Sequence, residues 1–173
     1  MHRVELDSER LRLRQIQAAD WELFLELHTN PSIIRYVCDP LTEADIHDRF
    51  ESRLPVWLSD SDHWMCLVVT DCSSGQPTGV TGLRRLSPEE AEVGYLFLPT
   101  HQGKGYAGES LNVLIAYARD VMKLSRLKAV VTDGNLPSCR VLEKCGFVLE
   151  QRVEQAFQLN QQVFDDLVYI NRL

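Results

Sequence analysis

The stretch 92–122 restricts this chain more than any other part of its sequence. A strand-like run, EVGYLFL at 92–98, is closed by Pro99; a loop carrying Gln102, Gly103, Lys104, Gly105, Tyr106 and Ala107 follows, and then Leu111, Leu114, Ile115, Ala118 and Met122 recur at helical period. A strand that runs through a short loop into a helix needs another strand to return to, and the apolar run 127–132 supplies one. The spacing predicts a parallel crossover joining 92–98 to 127–132. In the loop, small residues let successive backbone N–H groups turn toward one anion. The following helix adds its dipole and its unpaired first-turn donors, and Lys104 adds side-chain charge, so a pyrophosphate fits there. A plain structural turn also uses a pair of glycines, and the G-x-G pattern alone does not separate the two readings.

The rest of the chain supplies layers around this unit. Alternation of Leu11 and Leu13 with basic residues predicts an edge or half-buried strand over 10–16. Trp21, Phe24, Leu25 and His28 have helical spacing, Asn30 before Pro31 caps a second short helix with Ile33 and Ile34, and Thr42 with Asp45 forms a capping box before Ile46, Phe50 and Leu54. Strands are predicted at 65–71 and 78–86 around a turn at Ser73, Ser74 and Gly75, a short helix at 137–145, and a closing strand pair, 147–159 and 163–170, around Asn160 and Gln161. The fold class is therefore mixed α/β, a partly antiparallel central sheet flanked by helices, and 173 residues suit a single domain, 1–173.

Several function classes fall away. The loop lacks the G-K-[S/T] ending of a triphosphate loop and the third glycine of the dinucleotide fingerprint, and it lies late in the chain. A net charge of −7 with no local basic cluster argues against a nucleic-acid partner; it attracts a cationic substrate, or merely keeps the protein soluble. No apolar run approaches the roughly 20 residues that span a bilayer, and residues 1–14 do not form a signal peptide, so no membrane partner and a cytoplasmic location are expected. Five cysteines without a C-x-x-C pair suggest reduced thiols, and five scattered histidines, His2, His28, His47, His63 and His101, suggest no metal site.

The Q-x-x-G-x-A pattern from Gln102 to Ala107 resembles the Q/R-x-x-G-x-G/A acetyl-CoA signature of the GNAT acetyltransferase superfamily. Its place after Glu92-Val93-Gly94-Tyr95, and before Asn135-x-x-Ser138 and the run LEKCGF at 142–147, resembles the RimJ/RimL branch, and the similarity runs from the R-L-x-L-R at 10–14 to the last strand. The resemblance implies a GNAT-type fold, acetyl-CoA as co-substrate and no metal. It implies that backbone N–H groups of Gly103, Lys104, Gly105, Tyr106, Ala107 and Gly108 hold the pyrophosphate. It further implies that Phe97 and Leu98 bond the pantetheine arm through their main chain, that main-chain donors near Leu98 polarise the thioester carbonyl, and that Gln102 fills the Q/R position. The implied activity is direct acetyl transfer, in a ternary complex, to a primary amine: a polypeptide N-terminus or a small amine. A non-catalytic coenzyme A-binding or sensory module of the same fold is the alternative.

Acyl transfer to an amine requires a proton to leave, since a lysine-type amine has a pKa of about 10.4 and an α-amine about 8. Glu92 is the candidate base, because in the resembling family its strand faces the acceptor; the rival is a solvated residue beside Glu89 and Glu90. Residues three apart point to opposite faces, so Glu92 and Tyr95 share a face only if a bulge intervenes, and the resemblance implies such a bulge or a splay. The departing thiolate needs a hydrogen-bond donor, and the resemblance assigns Ser138, with Asn135 on the cofactor arm or at the strand end. Helix capping beside Pro137 is the rival for both. Cys139 at a helix start is a further candidate nucleophile, without a histidine nearby in sequence to activate it.

Overall fold

The computed structural model describes residues 3–173, so Met1 and His2, one of the five scattered histidines, lie outside the described residues. Its centre is an eight-stranded sheet of β1 (Glu5–Asp7), β2 (Leu11–Gln15), β3 (Met65–Asp71), β4 (Pro77–Arg85), β5 (Glu90–Phe97), β6 (Arg126–Thr132), β7 (Val148–Leu159) and β8 (Gln162–Arg172), in the order β1-β2-β3-β4-β5-β6-β8-β7. Neighbours are antiparallel except β5 and β6, which are joined by the expected crossover. The helices are α1 (Trp21–Thr29), α2 (Pro31–Ile34), α3 (Glu43–Glu51), α4 (Tyr106–Asp120) and α5 (Leu136–Lys144).

Strand alternation splits the apolar residues into two cores. Leu11 and Leu13 of β2, Leu67 and Val69 of β3 and Val93 of β5 pack under Leu111 and Leu114 of α4 and Leu142 of α5. Cys66 and Val68 of β3 and Val80 of β4 point the other way, against Phe24 and Leu27 of α1, Ile33 of α2 and Ile46 and Phe50 of α3. A sheet covered on both faces explains why β3 is apolar at nearly every position. The capping box at Thr42 forms, its hydroxyl accepting from Asp45 N–H at 3.1 Å while Asp45 takes the Thr42 N–H at 3.2 Å.

The strand at Leu11–Gln15 is half-buried, one of its two readings, and not an edge, because β1, too short at three residues to show in the sequence pattern, pairs outside it. One expectation is corrected. Helix α3 stops at Glu51, and Leu54 lies beyond it: Ser52 closes the helix, and the turn runs into Pro55. The closing pair forms as a hairpin with Asn160 at φ 47° and Gln161 at φ 65°, the left-handed pair of a two-residue turn.

Candidate active site

The loop between β5 and α4 is built by positive φ. Gly103 at +75° and Gly105 at +81° adopt backbone that L side chains rarely take, and this turns the chain so that Gly105 becomes the N-cap of α4. Among the described residues, the N–H groups of residues 103–108 make no hydrogen bond to a main-chain acceptor; the first bond into the helix is Glu109 N–H to the Gly105 carbonyl, 3.0 Å. That leaves a row of donors at the positive end of a fifteen-residue helix. A Cβ built at Gly103 would meet nothing within 4 Å, so the cradle is open on that side. Its chemistry suits a diphosphate.

Side chains that sequence separates widely fix this cradle. Glu109 accepts from Ser8 Oγ at 2.7 Å, from Arg10 N–H at 2.9 Å and from Arg10 Nε at 2.7 Å, tying the first turn of α4 to the turn before β2. Tyr106 donates its hydroxyl to Asp71 at 2.9 Å. Bonds from the Ser73 hydroxyl and N–H, and then from Tyr106, hold the Asp71 carboxyl far below the usual range, and the same contact raises the Tyr106 phenol. The Arg10 guanidinium and Lys104 ammonium both lie over the Tyr106 ring, 4.9 and 5.9 Å from its centroid, and bring two cations to the loop. Only Lys104 was expected. Gln102 turns back, and its Nε2 donates to the Phe97 carbonyl at 3.0 Å. Ala107 and Gly108 give the first turn small residues, and α5 packs close enough for Cys145 Sγ to reach the Gly108 carbonyl at 3.5 Å.

Beside the cradle the sheet opens. β5 and β6 pair only over Glu90, Ala91 and Glu92 and then diverge, while β6 continues beside β8 as far as Thr132. β5 has no register shift against β4, so the splay occurs without a bulge there. Because Leu98 N–H donates to Thr78 at 2.9 Å and Leu86 N–H to Glu90 at 2.8 Å, alternation directs the main chain of Val93, Tyr95 and Phe97 toward the opening. Leu98 N–H is held by Thr78 and therefore cannot donate to the arm as the resemblance implied; its carbonyl accepts from His101 N–H at 2.9 Å and keeps a second lone pair.

A cavity of about 370 Å³ passes through the splay. On the face covered by α1 and α3, Glu92 is 23 % exposed and is bound through Oε2 by Arg84 Nη2 at 3.0 Å, so it is not simply a solvated strand residue. The Arg84 and Arg53 guanidiniums lie 5.5 and 5.8 Å from the Trp64 ring centroid. His28 lines the same wall, stacked on Phe24 at 4.0 Å, with Nδ1 2.7 Å from the Phe24 carbonyl oxygen. Burial, aided by Arg53 and Arg49, lowers its pKa to about 4, so the ring is neutral at pH 7.

Ser138 lies on the other face, where Tyr95 points, and alternation thus places Glu92 and Tyr95 on opposite sides of the sheet. The Tyr95 hydroxyl is 2.9 Å from Ser138 Oγ, a partnership that no sequence pattern signalled; burial keeps this phenol protonated, its pKa pushed up to about 12. Asn135 caps α5, its Oδ1 accepting from Ser138 N–H at 3.4 Å, and it also lines the cavity. Cys139 is buried in the α4-side core, which leaves it poorly placed as a nucleophile.

Residues 10–148 match the acetyltransferase (GNAT) domain family. The uncharacterized N-acetyltransferase YnaD of Bacillus subtilis is 25 % identical over 96 % of this chain and 95 % of its own length. The ribosomal-protein-serine acetyltransferase of Escherichia coli is 33 % identical over 51 % of this chain and 50 % of its own. Among solved structures, the spermidine N-acetyltransferase of Vibrio cholerae in complex with CoA and spermine has the same fold, with a TM-score of 0.84, 23 % identity and coverage of 95 % of this chain and 96 % of that one.

Proposed function

The chain belongs to the acetyltransferase (GNAT) family, and on that premise we propose that it transfers acetyl from acetyl-CoA to a primary amine, directly, within a ternary complex. The observation that carries this reading is the row of N–H donors at 103–108 with no partner among the described residues, beside a sheet that opens immediately after Glu92. Gly103, Lys104, Gly105, Tyr106, Ala107 and Gly108 would hold the diphosphate, with Lys104 and Arg10 adding charge. The main chain of Phe97, with that of Val93 and Tyr95, would receive the pantetheine arm. Gln102 holds the loop end to Phe97, and Asn135 fixes the start of α5 beside the cavity. Bound acetyl-CoA supplies an activated acetyl thioester.

Glu92 takes the proton from the attacking amine, either directly or through a water. Arg84 binds its Oε2, which fixes the carboxylate and leaves Oε1 to receive the proton. On the opposite face, Ser138 gives a hydrogen bond to the leaving sulfur, and Tyr95 orients that hydroxyl from 2.9 Å away. A base on one face and a donor on the other suit an acceptor and a co-substrate that enter from opposite sides.

Likeness to the ribosomal-protein-serine acetyltransferase supports a RimJ/RimL-like position, with a protein α-amine as acceptor. Likeness to a spermidine acetyltransferase supports a small amine instead. We place the activity in one domain spanning 1–173 and in the cytoplasm; no described helix is long and apolar enough to cross a membrane. The test is Glu92→Gln assayed by thiol release. It should lower kcat/KM about a hundredfold near pH 7 and progressively less as pH rises toward the acceptor's own pKa, while coenzyme A affinity stays unchanged. A pH profile identical to that of the wild type removes Glu92 as the base.

A further inference from the structure

The acceptor side of the cavity is lined by charges of both signs, Arg49 and Arg53 with Glu92 and Asp166, and their arrangement bears on the acceptor. Arg49 and Arg53, from the end of α3 and the turn after it, both line the cavity on the Glu92 side. Among the described residues neither forms an ion pair, and Arg53 Nε is buried without a hydrogen-bond partner. Both act on His28, whose ring stays neutral and so adds no further positive charge to this wall. Glu92 is already bound by Arg84. Across the opening, Asp166 of β8 sits opposite Thr132 of β6, also lines the cavity, and forms no ion pair among the described residues. Among the described residues, one bank therefore offers guanidinium groups without a carboxylate partner and the other a carboxylate without a cationic partner.

From this juxtaposition of Arg49 and Arg53 with Asp166 across the cavity, we propose that the acceptor is an amino-carboxylate: an amine that enters beside Glu92 and Asp166 and carries a carboxylate, a few bonds away, held by Arg53 and Arg49. The proposal rests on the transferase reading given above and names its substrate class. The guanidinium fork matches a carboxylate in a way an ammonium cannot. The Arg53 and Arg84 guanidiniums lie 5.8 and 5.5 Å from the Trp64 ring centroid, so the proposed carboxylate-binding cation and the Arg84–Glu92 pair adjoin the same indole, as a compact zwitterion requires. A polyamine would bring only positive charge to a wall that already holds two unpaired guanidiniums.

The experiment is a thiol-release panel at fixed acetyl-CoA: free amino acids, tripeptides with an acidic first residue, the carboxamide analogue of each, and spermidine. Each is run on the full chain and on Arg53→Gln and Arg49→Gln/Arg53→Gln, with coenzyme A binding measured by calorimetry to show that every variant is folded. Carboxylate-bearing amines should exceed their carboxamides by about tenfold or more in kcat/KM, and the preference should collapse in the double variant at unchanged coenzyme A affinity. Whether free amino acids or acidic tripeptides lead tells which source supplies the carboxylate. Spermidine or the carboxamides matching the carboxylates, or a preference that survives in the double variant, overturns the inference and leaves the transferase reading standing. Absence of acceptor-dependent release across the whole panel, with coenzyme A still bound, refutes that reading and this inference with it.

Discussion

Acidification from pH 7.5 to 5.0 should cost this protein about 2 kcal/mol of stability through His28 alone. The ring is 5 % exposed, stacked on Phe24 and faced by Arg49 and Arg53, and burial lowers its pKa to about 4 from the ordinary 6.5. The unfolded chain takes up a proton below pH 6.5 that the folded chain refuses until about pH 4, so unfolding is favoured throughout that window and stability rises with pH across it. Complete passage through the window is worth roughly 3 kcal/mol, at about 1.4 kcal/mol for each pH unit, and pH 5.0 lies about two thirds of the way down. The assay is urea unfolding of the wild type and His28→Gln at both pH values. Carboxylates contribute alike to the two proteins and cancel in the difference. The wild type should lose about 2 kcal/mol more than the variant on acidification; equal losses would show that the ring is protonated in the folded protein and refute the burial argument.

Other consequences follow from the loop and from the hydroxyl pair. Gly105→Ala forces an L residue to φ +81°, which should cost about 1–2 kcal/mol in urea unfolding and weaken coenzyme A binding about tenfold by calorimetry; retention of full affinity would mean that the turn does not shape the site. Ser138→Ala and Tyr95→Phe should each lower kcat by about tenfold at unchanged coenzyme A affinity, with the double variant no worse than the poorer single one, since the two hydroxyls act as a unit 2.9 Å apart; additive losses would separate their roles.

Local signals carried most of the fold. The Thr42 capping box, the Asn30 and Asn135 caps, the two-residue turn at Asn160 and Gln161 and the β5–loop–α4 passage depend on neighbours within a few positions, and these are what sequence spacing records. β1 escaped because three residues cannot display a period, and its pairing with Arg12, Leu13 and Arg14 is a tertiary fact. Resemblance places Leu98 on the pantetheine arm although the hydrogen-bond phase of β5 directs it to Thr78; phase depends on register with β4, which no local pattern encodes. The same limit hid Arg10, bonded to Glu109 from 99 positions away, and Tyr95, bonded to Ser138 from 43 positions away. Glu92 and Ser138 stand out by resemblance; the geometry adds their opposite faces and the ion pair with Arg84.

If the main-chain amides of the β5–α4 loop receive a diphosphate, amide resonances recorded during a coenzyme A titration will register it. The N–H signals of Gly103 to Gly108 should move downfield together and saturably, with the signals of α3 unmoved. Saturable binding that leaves those six amides in place, or no binding of either coenzyme A or acetyl-CoA, would contradict it.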